Sequence, residues 1–389
     1  MGENSMNIID AKRTPIGGFQ GVFKDIKAPA LGAHALKATR GMVAPEFIDG
    51  VIMGCVLSAG VGQAPARQAA ILSGLLDQTP AFTVNKVCGS GMKSVMLACD
   101  QILLERGHLY LAGGMESMTN APYLLDKARQ GYRFGHFEFF DHMVMDGLED
   151  AYQGRLPMGV LAEKLAEEEN FTKAQQDQFA VKSLEKARAA KENLKLEMAP
   201  FVIEGKDPQT IDEDEPVYRA KIEKIPLLKP AFKKDGTITA ASASGIADGA
   251  STLLLASDEA LQKYGLQRRG KILGYTEISL SPQNFTRAPV GAIERLMKTL
   301  NWTMQDVDLF EVNEAFAVVT MYAMKALKIP EEKMNIFGGA CALGHPIGAS
   351  GARIVATLLN ALEVRGLKRG IASACIGGGE AVAIAIERA

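Results

Sequence analysis

The amino-acid sequence predicts an α/β protein made of two similar halves, with helices on both faces of a buried sheet. Short apolar runs alternate with amphipathic helices before residue 118 and again after residue 251, which is the pattern of a covered α/β sheet. The C-terminal part also echoes the N-terminal part, because Ser90-Gly91 and Ser350-Gly351 each precede a helix, a charged glycine turn and a glycine-ended strand. With 389 residues, 47% of them hydrophobic, the chain exceeds one ordinary core. We therefore predict a duplicated fold with approximate twofold symmetry.

The elements of the first half follow from apolar periodicity and glycine or proline punctuation. Strands are predicted over 7–11, 49–54, 82–84 and 109–114, and helices over 29–41, over 65–75 and from residue 90. In the second half, strands are predicted over 253–256, 271–275, 308–312 and 371–376, and a helix over 292–300.

The amino-acid composition changes in the segment between the two halves. Residues 129–140 are aromatic and basic without periodicity, residues 163–193 are charged and helical with a break near 170–172, and residues 206–215 are acidic. Such an excursion predicts a segment that covers a site or makes an interface. We divide the chain into an N-terminal half (1–117 plus 247–268), an inserted loop domain (118–246) and a C-terminal half (269–389).

Composition narrows the class of protein. A formal net charge of −2 gives no reason to expect nucleic acid or an anionic membrane as partner. No apolar stretch approaches the ~20 residues of a membrane helix, residues 1–6 lack a secretory signal, and the C-terminus lacks a peroxisomal tripeptide. Five cysteines without a CxxC pair argue against disulfides and zinc. We expect a cytoplasmic globular protein without a metal.

Cys88 is the first candidate for chemistry. It follows a β-branched run and stands at the start of a helix, within Cys88-Gly89-Ser90-Gly91. Unpaired N–H groups at a helix N-terminus favour thiolate over thiol, so a reactive cysteine is predicted. The alternative is a small buried cysteine in a strand–helix turn.

Three more polar or sulfur groups end strands or enter tight glycine turns, where ligands of α/β sheets bind. His345, between Gly344 and Pro346, is more plausibly functional than a packed histidine; Cys375, taken alone, resembles a core residue; Asn313 is either functional or a helix cap. A thiol with a distant histidine is typical of an activated nucleophile. The remaining cysteines, Cys55, Cys99 and Cys341, are interpreted as structural.

Several motifs occur together and in a fixed order along the chain. They are Asn85-Lys86-Val87-Cys88-Gly89-Ser90-Gly91, Gly113-Gly114-Met115-Glu116-Ser117-Met118, Asn313-Glu314-Ala315-Phe316-Ala317, Gly338-Gly339-Ala340, Gly344-His345-Pro346-Ile347-Gly348-Ala349-Ser350-Gly351 and Cys375-Ile376-Gly377-Gly378-Gly379. This set resembles the thiolase family, most closely its acetyl-CoA acetyltransferases, over essentially the whole chain. The resemblance implies the thiolase fold, in which two duplicated βαβ halves form five αβαβα layers and the loop domain covers the coenzyme A site.

The resemblance implies a reversible Claisen condensation of two acetyl-CoA to acetoacetyl-CoA, with coenzyme A as substrate and product and no other cofactor. Cys88, activated by His345, would carry the acetyl group, and Cys375 would deprotonate the second acetyl-CoA. One oxyanion hole would use His345 and a water held by Asn313. The other would use the backbone N–H groups of Cys88 and Gly377.

The same resemblance implies the substrate contacts and the assembly. Arg219 would contact the nucleotide and Ser244 the pantetheine, Met158 and Phe232 would wall a short acyl pocket, and Ala315 and Phe316 would adjoin the substrate. The aromatic stretch 129–140 resembles the loop through which short-chain thiolases form homotetramers. Three positions depart from the family pattern, namely Pro157, Ser242 and Ala247.

Two alternatives remain from the sequence. One is a degradative 3-ketoacyl-CoA thiolase with a wider chain-length range. The other is a catalytically silent thiolase-fold protein that binds coenzyme A or a lipid, against which the retained cysteines, histidine and asparagine argue.

Overall fold

A computed structural model describes residues 5–389. The prediction that residues 1–6 carry no secretory signal falls largely outside the described residues. The strands are β1 Met6–Arg13, β2 Gly17–Gly18, β3 Gly50–Gly54, β4 Ala81–Val84, β5 Leu109–Ser117, β6 Tyr123–Leu125, β7 Phe139–Asp141, β8 Phe201–Ile203, β9 Gln209–Ile211, β10 Ala247–Ala256, β11 Gly270–Ser279, β12 Leu309–Val312, β13 Arg369–Ile376 and β14 Glu380–Arg388. The α-helices are α1 Ala28–Arg40, α2 Pro65–Leu72, α3 Ser90–Leu103, α4 Met158–Glu169, α5 Lys173–Ala189, α6 Lys191–Lys195, α7 Glu215–Arg219, α8 Asp258–Tyr264, α9 Ala288–Leu300, α10 Ala317–Leu327, α11 Ala340–Leu343 and α12 Ile347–Arg365.

One mixed sheet of ten strands organises the molecule. Its order is β12-β13-β14-β11-β1-β10-β5-β3-β4, with β2 beside β10. In the first half β3 pairs in parallel with β4 and β5, and in the second half β12 pairs in parallel with β13. The halves join where β1 and β11 pair antiparallel. Outward from that junction the order β1-β10-β5-β3 matches β11-β14-β13-β12, so the topology repeats as the sequence echo predicts.

Helices α3 and α12 form the middle layer between the two sets of strands. Helix α12 packs against β5 and β10 of the first half and against β12 and β13 of the second. On the outer faces, α1 covers the strands of the first half and α9 those of the second. The five-layer α/β arrangement is therefore confirmed.

The two central helices cross at the paired glycines of the echo. A Cβ added to Gly91 would lie 2.9 Å from the Gly348 carbonyl oxygen, and one added to Gly351 would lie 2.5 Å from the Met92 nitrogen. Only glycine permits this backbone approach, because a side chain at either position would meet backbone atoms that have no room to move. The echo thus marks a contact between the halves as well as a shared ancestry.

We expect Gly351→Ala to destabilise the protein by about 1–3 kcal/mol, the usual cost of overpacking a closed core. Urea unfolding followed by circular dichroism measures this change. Gly205→Ala is the matched control, since a Cβ at Gly205 meets nothing within 4 Å. Equal stability of the two variants would contradict the close crossing.

Residues 118–246 form the excursion between β5 and β10. They contain the ribbons β6–β7 and β8–β9 and the helices α4 to α7, and none of their strands joins the main sheet in the described part of the chain. The break predicted near 170–172 separates α4 from α5. The division into three domains stays a prediction.

The other strand and helix predictions are confirmed, although several bounds differ. Strand β5 continues past Gly114 to Ser117, β10 begins six residues before the predicted start at 253, and β11 continues to Ser279. Strand β14 and helices α8 and α11 were not predicted. Helix α12 is the one helix among residues 5–389 that is long and apolar enough to cross a membrane, and 89% of its apolar window is buried. Its place between the two halves accounts for that composition.

Candidate active site

A pocket of about 350 Å³ collects the reactive groups that the sequence singles out. Cys88, His345 and Cys375 all line it, although they come from the α3 entrance, the turn before α12 and the end of β13. Gly377 contributes backbone to the same wall. The pocket is otherwise mostly apolar, so charge that develops inside it is poorly screened by solvent.

A strained turn presents Cys88. Val87 has φ of 43°, a left-handed conformation that β-branched residues rarely adopt and that costs on the order of 1–3 kcal/mol. The Ser90 hydroxyl holds this turn, because it accepts from the Lys86 N–H at 2.8 Å and donates to the Val87 carbonyl at 2.7 Å. The turn therefore fixes Cys88 against the pocket before any substrate binds.

The expectation of a stabilised Cys88 thiolate is wrong. Burial, with a smaller contribution from the nearby carboxylate of Glu116, raises the pKa of the Cys88 thiol to about 11. The N–H groups of Gly377 and of Cys88 itself lower that pKa, but by less. Desolvation thus outweighs the helix N-terminus, and Cys88 rests as a thiol.

Hydrogen bonds fix the tautomer of His345. Ser350 Oγ donates to the Pro346 carbonyl at 3.0 Å, so its contact with His345 Nδ1 at 2.6 Å requires Nδ1 to carry the proton. Nε2 then has a free lone pair, which the Asn313 amide nitrogen approaches at 3.4 Å. Burial, together with the positive charge of Arg353, lowers the pKa of His345 to about 3. His345 is therefore a neutral imidazole.

Asn313 is not a helix cap. Helix α10 begins at Ala317 with Phe316 as its N-cap residue, so Asn313 lies three residues before the cap position. Its side chain is turned to His345, and its Oδ1 is buried without a hydrogen-bond partner among residues 5–389. The alternative interpretation of Asn313 is ruled out, and a polar group faces the imidazole instead.

Cys375 is buried at the end of β13, and it is close enough to Cys88 that ionisation of either thiol opposes ionisation of the other. Burial is the larger cause of the raised Cys375 pKa. An ion pair of 2.5 Å between Lys86 and Glu380 joins the Cys88 turn to the start of β14, the strand that follows β13. The two sulfur atoms thus face one cavity from opposite halves of the sheet.

These pKa values predict how the free enzyme is alkylated. The rate of Cys88 modification by iodoacetamide should rise with pH up to about 11, because only the thiolate reacts. Titration of His345 should add no inflection near the ordinary histidine pKa of about 6.5, since His345 stays neutral above pH 3. Labelling quenched at set times, followed by peptide mapping, measures the alkylation rate at each pH. A rate that stops rising below pH 8 would contradict the pKa of about 11 given for Cys88.

Most of the predicted substrate residues line the same pocket, but Arg219 does not. The wall includes Met158, Phe232, Ser244, Ala315 and Phe316. Arg219 lies on α7 with its side chain 60% exposed and pairs with Glu215 at 3.0 Å. Its proposed contact with the nucleotide part of coenzyme A would lie outside the apolar pocket.

The three departures from the family pattern occupy structural positions near the pocket. Pro157 is the N-cap residue of α4, directly before Met158. The Ser242 hydroxyl accepts from the Thr239 N–H at 2.8 Å, and Ala247 begins β10. Each is compatible with the local backbone.

Sequence reasoning missed part of the pocket wall, notably Leu148, Phe285 and Ile347. Leu148 ends a π-helical turn, Val144–Leu148, in the loop domain, and Phe285 lies in the 3-10 turn Pro282–Arg287 after β11. Ile347 belongs to a quoted motif, but Leu148 and Phe285 have no local signal of function. Phe285 meets Phe316 edge-on, with ring centroids 6.2 Å apart.

Comparison with known proteins agrees with this fold. Residues 6–259 match the thiolase N-terminal domain and residues 266–388 the thiolase C-terminal domain. The chain therefore belongs to the thiolase family, and it is an acyltransferase. It is 45% identical to an acetyl-CoA acetyltransferase of Candida albicans over 98% of this chain and 97% of that protein, and 45% identical to one of Cupriavidus necator over 98% of each.

One further relative and one solved structure are similar to this chain over nearly its whole length. A probable acetyl-CoA acyltransferase of Staphylococcus aureus is 44% identical over 97% of this chain and 98% of that protein. The crystal structure of the Bacillus anthracis acetyl-CoA acetyltransferase superimposes with a TM-score of 0.96 at 37% identity, over 100% of this chain and 99% of that chain. The predicted thiolase fold is thereby confirmed.

Proposed function

We propose that the protein is an acetyl-CoA C-acetyltransferase, which condenses two acetyl-CoA reversibly to acetoacetyl-CoA and coenzyme A. The observation that carries this proposal is the convergence of two thiols and a neutral imidazole on one apolar pocket. A thiol suits the task, because exchange of a thioester between two sulfur atoms is nearly balanced and keeps the reaction reversible. Names of similar proteins support acetyl-CoA as the substrate.

In the first half-reaction, Cys88 Sγ attacks the thioester carbon of acetyl-CoA while its proton passes to His345 Nε2. The bond from that carbon to the coenzyme A sulfur breaks, and the leaving thiolate takes a proton from Cys375. Transfer during attack avoids a free Cys88 thiolate, which the high pKa of the buried thiol disfavours. The result is acetyl-Cys88, an imidazolium, a Cys375 thiolate and free coenzyme A.

In the second half-reaction, the Cys375 thiolate removes a proton from the methyl group of another acetyl-CoA. The carbanion attacks the carbonyl of acetyl-Cys88, the carbon–sulfur bond breaks, and Cys88 recovers its proton from His345. Burial makes the Cys375 thiolate a strong base, because its pKa is raised well above that of an ordinary thiol. Both thiols and the imidazole then return to their starting states.

Fixed donors would stabilise the two oxyanions. The Gly377 N–H is directed at Cys88 Sγ and, with the Cys88 N–H, would bind the oxygen of the acyl group there. Protonated His345 would donate to the enolate oxygen of the second acetyl-CoA. The buried, unpartnered Oδ1 of Asn313 could accept from a water that donates to the same oxygen.

The proposed substrate is a short acyl chain. Met158, Phe232 and Phe316 crowd the pocket, and the rings of Phe232 and Phe316 meet with centroids 5.8 Å apart. The wider name acyltransferase among the relatives supports a second candidate, a 3-ketoacyl-CoA thiolase of broader range. Thiolysis rates with acetoacetyl-CoA and with 3-ketoacyl-CoA of about 8–16 carbons decide between them. A preference for the longer chains would overturn the first proposal.

Covalent labelling tests the chemistry itself. Incubation with acetyl-CoA, followed by intact mass and peptide mapping, should find one acetyl group on Cys88. A protein that only binds coenzyme A or a lipid would give no adduct. Activity that survives exhaustive dialysis against a chelator would support the absence of any cofactor beyond the coenzyme A of the substrates.

We also propose a homotetramer assembled through the β6–β7 ribbon. Large apolar side chains stand exposed on it, and Phe134 is fully exposed. Exposed patches of this kind usually mark interfaces. We expect Phe134→Glu to convert tetramers to smaller species in size-exclusion chromatography with light scattering. Met42→Glu is the control, because Met42 is equally exposed elsewhere, and tetramers in both variants would contradict the proposed surface.

A cytoplasmic location is proposed from the cysteines. All five are free, including the two that face the pocket, and a reducing compartment preserves them in that state. Fractionation of cells with antibody detection tests this location.

A further inference from the structure

Glu116 is a buried carboxylate that the proposed reaction does not use. It lies near the end of β5 with no measurable exposure. Its pKa is raised to about 7, because burial outweighs the opposite effect of hydrogen bonds from three N–H groups and the Cys55 thiol. At a pH of about 8.5, above that pKa, it carries its charge inside the protein. A charge buried at such cost requires a structural or functional reason.

The Glu116 carboxylate accepts hydrogen bonds from two separate segments of the fold. The N–H of Val56 and that of Leu57, both in the loop after β3, donate to it at 3.0 and 3.1 Å. The N–H of Gly348, in the first turn of α12, donates to it at 2.9 Å. Gly348 follows His345 by three residues, so Glu116 holds the end of the turn that carries the imidazole.

The same segments pack against Cys88. Val56, Leu57 and Ile347 form a buried apolar cluster against which Cys88 packs. The two titratable groups that face Glu116 are Cys55, whose Sγ lies 3.6 Å from Oε1, and Cys88, whose ionisation its charge opposes. Glu116 therefore accepts hydrogen bonds from the same two segments that pack against the Cys88 thiol.

We propose that Glu116 is a positioning residue for acyl transfer: by joining the loop after β3 to the first turn of α12, it fixes His345 relative to Cys88. This inference rests on the proposed roles of Cys88 and His345. Reaction between two groups falls steeply when their separation changes by a fraction of an ångström, so loss of the tie should slow turnover more than binding.

Glu314 offers a matched comparison. It braces the other end of the same turn, where its carboxylate accepts from the Cys341 N–H at 3.1 Å and from the Ser183 hydroxyl at 2.7 Å. Its charge is not among those that shift the Cys88 pKa. Glu314→Gln should therefore disturb the turn without changing the ionisation of Cys88.

The test measures two quantities in Glu116→Gln, namely turnover at a pH of about 8.5 and the rate of Cys88 alkylation over a series of pH values. Its kcat for thiolysis of acetoacetyl-CoA should fall about 30- to 100-fold with KM changed less than about twofold, because the amide sets an NH₂ against at least one backbone donor. At the same time, the pH midpoint of Cys88 alkylation should move downward, since a negative charge has been removed. A damaged structure would expose the thiol and also lower this midpoint, so the comparison with Glu116→Asp, in which the midpoint should not move, distinguishes damage from loss of the charge.

Glu116→Asp separates position from charge and serves alone if Glu116→Gln does not fold. The shorter side chain keeps the charge but cannot reach both segments, so kcat should fall while the alkylation midpoint stays unchanged. Wild-type kcat in either folded variant would overturn the inference, as would a downward midpoint in Glu314→Gln. Failure of the wild type to acetylate Cys88 would instead reject the proposed function.

Discussion

Replacement of Cys88 by alanine is expected to abolish both thiolysis and condensation, by about 10⁴-fold or more. Neither half-reaction has another route, because the acyl group must be held on a sulfur that faces the pocket. Cys375 cannot substitute for it, since it lies on the opposite wall at the end of β13 and is already assigned to proton transfer. Rates of acetoacetyl-CoA loss and formation, together with intact mass after acetyl-CoA treatment, measure the effect.

Cys99→Ala is the matched control for this experiment. Cys99 lies on the same helix, α3, but is buried in the apolar core. It should retain activity and the acetyl adduct. Residual turnover of Cys88→Ala above about one part in a hundred, with a new adduct elsewhere, would move the nucleophile to another side chain.

Replacement of Cys375 by alanine should separate the two half-reactions. The acetyl-enzyme should still form, because Cys88 and His345 remain and the coenzyme A thiolate can leave to solvent. Condensation should fall by about 10²–10⁴-fold, the range for loss of a general base. Loss of deuterium from trideuteroacetyl-CoA to water, followed by mass spectrometry, reports the proton abstraction directly.

The Cys375→Ala result identifies the base only if the acetyl adduct on Cys88 is also observed in that variant. An acetylated enzyme that exchanges no methyl deuterium assigns proton abstraction to Cys375. Normal exchange in that variant would mean that another base, with His345 the nearest candidate, removes the methyl proton.

The location of the reactive groups was predictable from the sequence for a physical reason. Strands of an α/β sheet present their ends to ligands. Asn313 follows β12 directly, Cys375 lies at the end of β13, and Cys88 lies in the turn after β4. His345 lies between glycine and proline in a turn that no packing requirement explains. The motif resemblance then supplied the roles, which spacing alone could not.

The pocket wall and its electrostatics were not predictable in this way. Leu148 and Phe285 reach the pocket through contacts between segments that are remote in the chain, so no local pattern marks them. The pKa of Cys88 depends on how much solvent the folded pocket excludes, and that quantity reverses the effect of the helix N-terminus. The role proposed for Glu116 likewise depends on distances that only the fold supplies.

The crossing of α3 and α12 at Gly91 and Gly351 has a consequence for biosynthesis. The ribosome makes α3 early and α12 near the end of translation, so the side of α3 that α12 covers stays exposed until then. We expect nascent chains to remain sensitive to protease until α12 emerges, which arrest at successive codons would measure. The N-terminal half would then complete its folding only after the C-terminal half has been synthesised.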